Sequence, residues 1–205
     1  IINEAERIGL PDGLPVVMLP ARPSSWKGHL ILLRALARLE DLQVAIVLLG
    51  AGDFNTGYAE MLEKTSVELG LGANVRITTS SRDMPAALML ADVVVMPSIH
   101  PEPFGRIAIE AQAMGRPVIA FDHGGARETI LEGKTGWLAK PNDIDSLSEN
   151  LKTALSISKS KRNELSNLAQ SSVKRRFSVR KMTNSTLEIY RKLLLIKGWQ
   201  RRSDP

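Results

Sequence analysis

Arg22 and Lys27 stand on either side of Ser24-Ser25-Trp26, where a short apolar run ends and a helical pattern begins. Unpaired N–H groups at a helix start already favour an anion. Arg adds a planar fork for phosphate oxygens and Lys a compact charge. A solvated surface pair would carry the same residues, so the pair needs company. That company lies in His100-Pro101-Glu102-Pro103-Phe104-Gly105-Arg106-Ile107-Ala108-Ile109-Glu110. Pro101 and Pro103 push His100 and Glu102 toward extended backbone, which holds Glu102 in a stiff loop. Gly105 permits close approach at a helix start whose free N–H groups point back to the same place. Glu110 follows one and a half turns on. Carboxylates accept hydrogen bonds from sugar hydroxyls, about 1.5–3 kcal/mol each when one partner is charged. Two cations, two acids and a helix terminus therefore describe a site for a polyhydroxylated, phosphorylated ligand.

The elements that must position these residues alternate in type. Pro15 to Leu19, Gln43 to Leu48, Asn74 to Ile77, Asp92 to Met96, Pro117 to Phe121 and Gly136 to Ala139 read as strands. Helical patterns cover Lys27 to Glu40, Gly57 to Leu69, Met84 to Leu90, Arg106 to Met114 and Ala126 to Glu132. Strands apolar on both faces with helices between them predict an α/β fold: a Rossmann-like, doubly wound parallel sheet of about six strands. After Asn142 the pattern is all helical, over Asp143 to Leu155, Lys159 to Phe177 and Val179 to Lys197, with Asp143 and Ser178 as N-caps. The expected division is a linker over residues 1–14, a ligand-binding domain over 15–155 and basic C-terminal helices over 156–205.

In such a sheet, ligands bind beyond the carboxyl ends of the strands. The second strand ends in Leu49-Gly50-Ala51-Gly52-Asp53, either a phosphate-approach loop or a tight turn. The third ends in Thr78-Thr79-Ser80-Ser81-Arg82. The fifth ends in Phe121-Asp122-His123-Gly124-Gly125, where the paired glycines suggest close approach to a ligand or to a neighbouring loop. None of His29, His100 and His123 is read as a general base.

The chain has 205 residues and no cysteine, which excludes disulfides, thiolate zinc sites and cysteine nucleophiles. Three scattered histidines argue against a transition-metal site, so no metal is expected. Residues 156–205 hold 13 Lys or Arg against three acids, net +10, while the rest carries 14 basic and 19 acidic residues, net −5. This basic tail is a solvated face or a contact for an anionic membrane surface. Nucleic acid is not expected, because no aromatic stacking platform accompanies the charge. No apolar stretch is long enough to span a bilayer, and the first residues lack a signal-peptide pattern, so a cytoplasmic placement is expected. The opening residues read as a chain that starts in mid-protein.

Taken together, these segments resemble the C-terminal domain of the large group-1 (family 4) glycosyltransferases, which have the two-Rossmann-domain GT-B architecture. The resemblance rests on Arg22 and Lys27 in Ala21-Arg22-Pro23-Ser24-Ser25-Trp26-Lys27-Gly28 and on Glu102 and Glu110, eight residues apart. Ala113 to Ala120, Gly124 to Glu128 and Arg176-Phe177-Ser178 leading to Tyr190 match as well, so the likeness runs from about Pro15 to Leu194. It implies that Arg22 and Lys27 hold a donor diphosphate and stabilise the charge that builds on it. Glu102 would contact the transferred sugar, the backbone near Phe104, Gly105, Arg106 and Ile107 both sugar and phosphate, and Glu110 the ribose. Gly50 and Thr78 would complete the donor site. The implied reaction is retaining, needs no metal or cofactor, and moves a sugar from an NDP-sugar donor to a glycan or lipid-linked acceptor in cell-envelope polysaccharide or lipopolysaccharide synthesis. The acceptor side would lie on a further N-terminal domain. Ala21 replaces the family's usual Gly, and Thr78-Thr79-Ser80-Ser81-Arg82 replaces its usual Gly-containing turn, which leaves the base open. A non-catalytic nucleotide-binding module and a sugar-nucleotide epimerase are the competing functions.

Overall fold

The computed structural model of the protein describes residues 1–39, 43–53 and 57–196. Six strands form one sheet: β1 (Val16–Pro20), β2 (Ala45–Leu49), β3 (Val75–Thr78), β4 (Val93–Met96), β5 (Val118–Phe121) and β6 (Gly136–Ala139). All pairings are parallel and the order is β3-β2-β1-β4-β5-β6. The order reverses between β1 and β4, which opens a crevice at their carboxyl ends. The expected α/β class, Rossmann-like sheet and helical tail are all present.

Alternating strand residues build two cores. Val17, Leu19, Ile46, Leu48, Val95, Ile119 and Phe121 face one layer, formed by α2 (His29–Leu36), α3 (Tyr58–Glu68) and α7 (Ile144–Ser156). Met18, Val47, Leu49, Val94, Met96, Val118 and Ala120 face the other, formed by α1 (Ile2–Ile8), α4 (Met84–Leu90), α5 (Arg106–Ala113) and α6 (Ala126–Thr129). Outside the edge strand β3, which is half-buried, nearly all strand side chains are buried on both faces, which is why those runs read as continuously apolar. Two long helices follow, α8 (Lys159–Arg176) along α5 and α9 (Val179–Ile196).

The differences from the expected elements have local causes. Residues 2–8, within the expected linker, form α1, anchored by buried Ile8 and closed by Gly9 in a left-handed turn. The Lys27 to Glu40 pattern splits into a 3-10 turn at Ser25–Lys27 and α2, because Gly28 adopts φ 80° between them. An added Cβ at Gly28 would lie 1.9 Å from the Pro97 carbonyl oxygen, so this turn needs glycine. Helix α6 stops at Thr129, whose hydroxyl bonds back to the Gly125 carbonyl, and the chain turns at Gly133. Glu40, at the end of the first expected helix, and Lys197 lie outside the described residues. Asp143 and Ser178 cap their helices as expected, accepting from the N–H of Ser146 and Lys181. Ser158 does the same for α8.

Candidate functional site

The loop after β1 and the loop after β4 carry the cation and the acid toward each other. Lys27 Nζ donates to Glu102 Oε1, and the two side chains are 21% and 14% exposed. The Lys27 ammonium also lies 3.9 Å from the centroid of the Trp26 ring. Ser98 Oγ donates to the same Glu102 oxygen at 2.8 Å. Lys27, Ser98 and Glu102 line a cavity of about 310 Å³ with Pro20, Ala21, Phe104, Gly105, Arg106 and Ile107. It sits at the start of α5, where the first N–H groups of that helix are free.

Arg22 is exposed and lies beside this cavity in a smaller one of about 240 Å³, shared with Pro23, Ser24, Trp26 and Lys27. Lys27 is thus common to both cavities. The loop between the two cations is held from outside. Tyr58 Oη on α3 donates to the Ser24 carbonyl at 3.2 Å, and the Ile99 N–H donates to the Trp26 carbonyl at 2.7 Å. Tyr58 also packs edge-on against His29 at 5.5 Å between ring centroids. His29 is fully buried, and that burial pushes its pKa down to about 4, so it is neutral here.

Glu110 lies elsewhere on α5. It is paired with Arg106 at 3.0 Å and lines an apolar groove of about 410 Å³ with Met84, Pro85, Leu88, Ala113 and Met114. Arg106 borders both this groove and the Glu102 cavity, so the two acids occupy adjoining spaces rather than one. Gly50 and Thr78 lie at the neighbouring strand ends, joined by the Gly50 N–H to Thr78 carbonyl bond at 2.9 Å, and neither lines the Glu102 cavity.

The paired glycines after β5 approach a loop. The Gly125 N–H donates to the Glu102 carbonyl at 2.8 Å. A Cβ on Gly125 would lie 2.5–2.7 Å from the Phe104 backbone, and one on Gly124 would lie 2.4 Å from the Glu102 carbonyl oxygen. The ring of Phe104 also meets Phe177, between α8 and α9, at 5.7 Å in an edge-to-face contact. Ser98 and Tyr58 were not singled out in the sequence. A Ser two residues past a buried strand, next to a Pro-restricted acid, offers a weak signal; Tyr58 offers none, since its partner lies 34 residues away.

A parallel α/β sheet with a cation and an acid meeting at its switch point defines a Rossmann-like domain with its crevice at the carboxyl ends of β1 and β4. The family model described as "Glycosyl transferases group 1" matches residues 1–172. The chain belongs to that family. It is 36% identical over 152 residues to a GDP-mannose-dependent α-(1-6)-phosphatidylinositol monomannoside mannosyltransferase of Mycolicibacterium smegmatis, covering 69% of this chain and 38% of the relative. A crystal structure of a glycosyltransferase from Rickettsia africae superposes with a TM-score of 0.88 at 30% identity, over 94% of this chain and 51% of that one. The Anabaena protein HepE, crystallised with UDP-glucose, gives 0.81 at 30% identity, over 93% and 52%. The chain spans between about a third and two fifths of the length of these curated relatives.

Proposed function

We propose that this chain is the donor-binding half of a retaining, metal-independent glycosyltransferase that takes a sugar from a nucleoside diphosphate. The observation that carries the reading is the meeting of Lys27 and Glu102 at the start of α5, with Arg22 in the adjoining cavity. Arg22 and Lys27 bind the diphosphate and stabilise the negative charge that grows on it as the glycosidic bond breaks, an electrostatic contribution aimed at the transition state. Glu102 accepts hydrogen bonds from the hydroxyls of the transferred sugar. The N–H groups of Gly105, Arg106 and Ile107 take phosphate or sugar oxygens. Glu110 takes the ribose hydroxyls, and the apolar groove beside it suits a base. The acceptor is a glycan or lipid-linked saccharide of the cell envelope, in keeping with the lipid-linked acceptor named for the mycobacterial relative.

Thermal melting with a panel of UDP- and GDP-sugars at millimolar concentration tests this reading. A bound donor raises Tm by mass action, and Arg22→Ala combined with Lys27→Ala should abolish the shift. No shift with any nucleotide sugar overturns the assignment.

The basic tail extends the proposal to the inner face of a membrane. No described helix is long and apolar enough to cross one. Contact would instead come from the Lys and Arg side chains of α8 and α9 on anionic headgroups. Liposome sedimentation should then rise with acidic lipid and fall with salt, and indifference to both refutes the membrane contact.

A further inference from the structure

The Glu102 carboxylate has two oxygens, and both of its side-chain partners choose the same one. Lys27 Nζ and Ser98 Oγ converge on Oε1. Among the described residues Oε2 has no partner. The two partners differ in what they are free to do. Lys27 is partly exposed, rests on Trp26 and borders the Arg22 cavity as well as the Glu102 cavity. A diphosphate arriving beside Arg22 therefore competes with Glu102 for the Lys27 ammonium, which is a flexible, three-proton donor. Ser98 is 1% exposed, follows the buried strand β4 and, among the described residues, donates its hydroxyl only to Glu102.

We infer that Ser98 is a positioning residue that keeps Glu102 aimed at the sugar once Lys27 has turned to the diphosphate. The hydroxyl pins Oε1, so that Oε2 points its lone pairs at the ligand without a search through the rotamers of a glutamate. The backbone of Glu102 is fixed independently, by the Gly125 N–H on its carbonyl and by the flanking prolines. Removing the hydroxyl therefore frees the carboxylate end of the side chain and leaves the loop in place. This inference rests on the donor-site reading above and assigns a new residue to it.

The consequence separates sugar from nucleotide. Ser98→Ala should weaken binding of a nucleotide sugar by about tenfold, the size of one hydrogen bond to a charged group. Binding of the bare nucleoside diphosphate, held by Arg22 and Lys27, should stay within about twofold. The measurement is calorimetric titration of the 205-residue chain with UDP-glucose and GDP-mannose, each against its own UDP or GDP. A general packing defect would weaken both ligands together, and that outcome overturns the inference. Equal affinities in Ser98→Ala and the unaltered chain overturn it as well. Glu102→Ala, which removes the acceptor, provides the second arm: in that background Ser98→Ala should cost nothing further, whereas a full additional loss means that Ser98 acts elsewhere. If the unaltered chain binds neither nucleotide nor nucleotide sugar, the donor reading itself has failed.

Discussion

Gly125 is the residue whose replacement is simplest to interpret. Its φ of −64° suits any amino acid, so alanine there costs no backbone strain. The only penalty is steric, because the new methyl meets the Phe104 backbone at 2.5–2.7 Å. Gly125→Ala should lower stability by about 1–3 kcal/mol and displace the loop that carries Glu102. Chemical denaturation checks the first effect, and a weakened response to nucleotide sugar checks the second. His29 gives a prediction of another kind. Its folded pKa of about 4 lies below the ordinary 6.5, so the unfolded chain binds the extra proton at intermediate pH. The stability this contributes is fully present above pH 6.5 and is lost as pH falls toward 4. Between pH 6.5 and 5 the loss should reach about 2 kcal/mol. Denaturation midpoints across that range measure it, and His29→Asn should flatten the dependence. Both residues illustrate what sequence alone conveys at this scale. The glycine pair announces a close approach to a ligand or to a neighbouring loop without deciding which; His29, not read as a base, packs against Tyr58 under the cation loop.

Asp92 ties several elements together. Its Oδ2 accepts the Val16 N–H at 2.8 Å at the start of β1, and Oδ1 lies 3.2 Å from Arg162 of α8. Arg162 also donates to the Asp92 carbonyl at 2.9 Å. Asp92→Ala strips the partly buried Val16 N–H of its acceptor and loosens α8 from the sheet. We expect a destabilisation of about 1–3 kcal/mol, read from urea unfolding, and a smaller one for Arg162→Ala. At this scale most of the fold was legible, because parallel strands buried on both faces leave uninterrupted apolar runs with turn residues at each end. What escaped was short or interrupted. Helix α1 makes only two turns and shows too little period to register, and Gly28 divides what reads as one helix. Convergence of the loops after β1 and β4 was readable because the crevice rule names those strand ends. The displacement of Glu110 into the α4–α5 groove depends on helix rotation, which spacing alone does not settle.

Across the whole molecule, α9 stands apart from both cores. Val179, Met182, Ile189, Tyr190, Leu193 and Leu194 are all exposed along it. A chain ending at Ser178 should therefore melt within about 2 °C of the full chain, since almost no buried apolar area is removed. A drop of 5 °C or more would show that α9 supports the domain. Phe177 is kept in that variant, so its contact with Phe104 survives. The sharing of Lys27 between two cavities carries a consequence for the order in which a charged ligand is captured. With the Lys27 ammonium already committed to Glu102 and Arg106 paired with Glu110, the inner cavity is nearly neutral, and Arg22 is the exposed cation of the loop after β1 that an approaching anion meets. Arg22 would then govern how fast the ligand arrives, in a manner sensitive to ionic strength, whereas Lys27 would govern how long it stays.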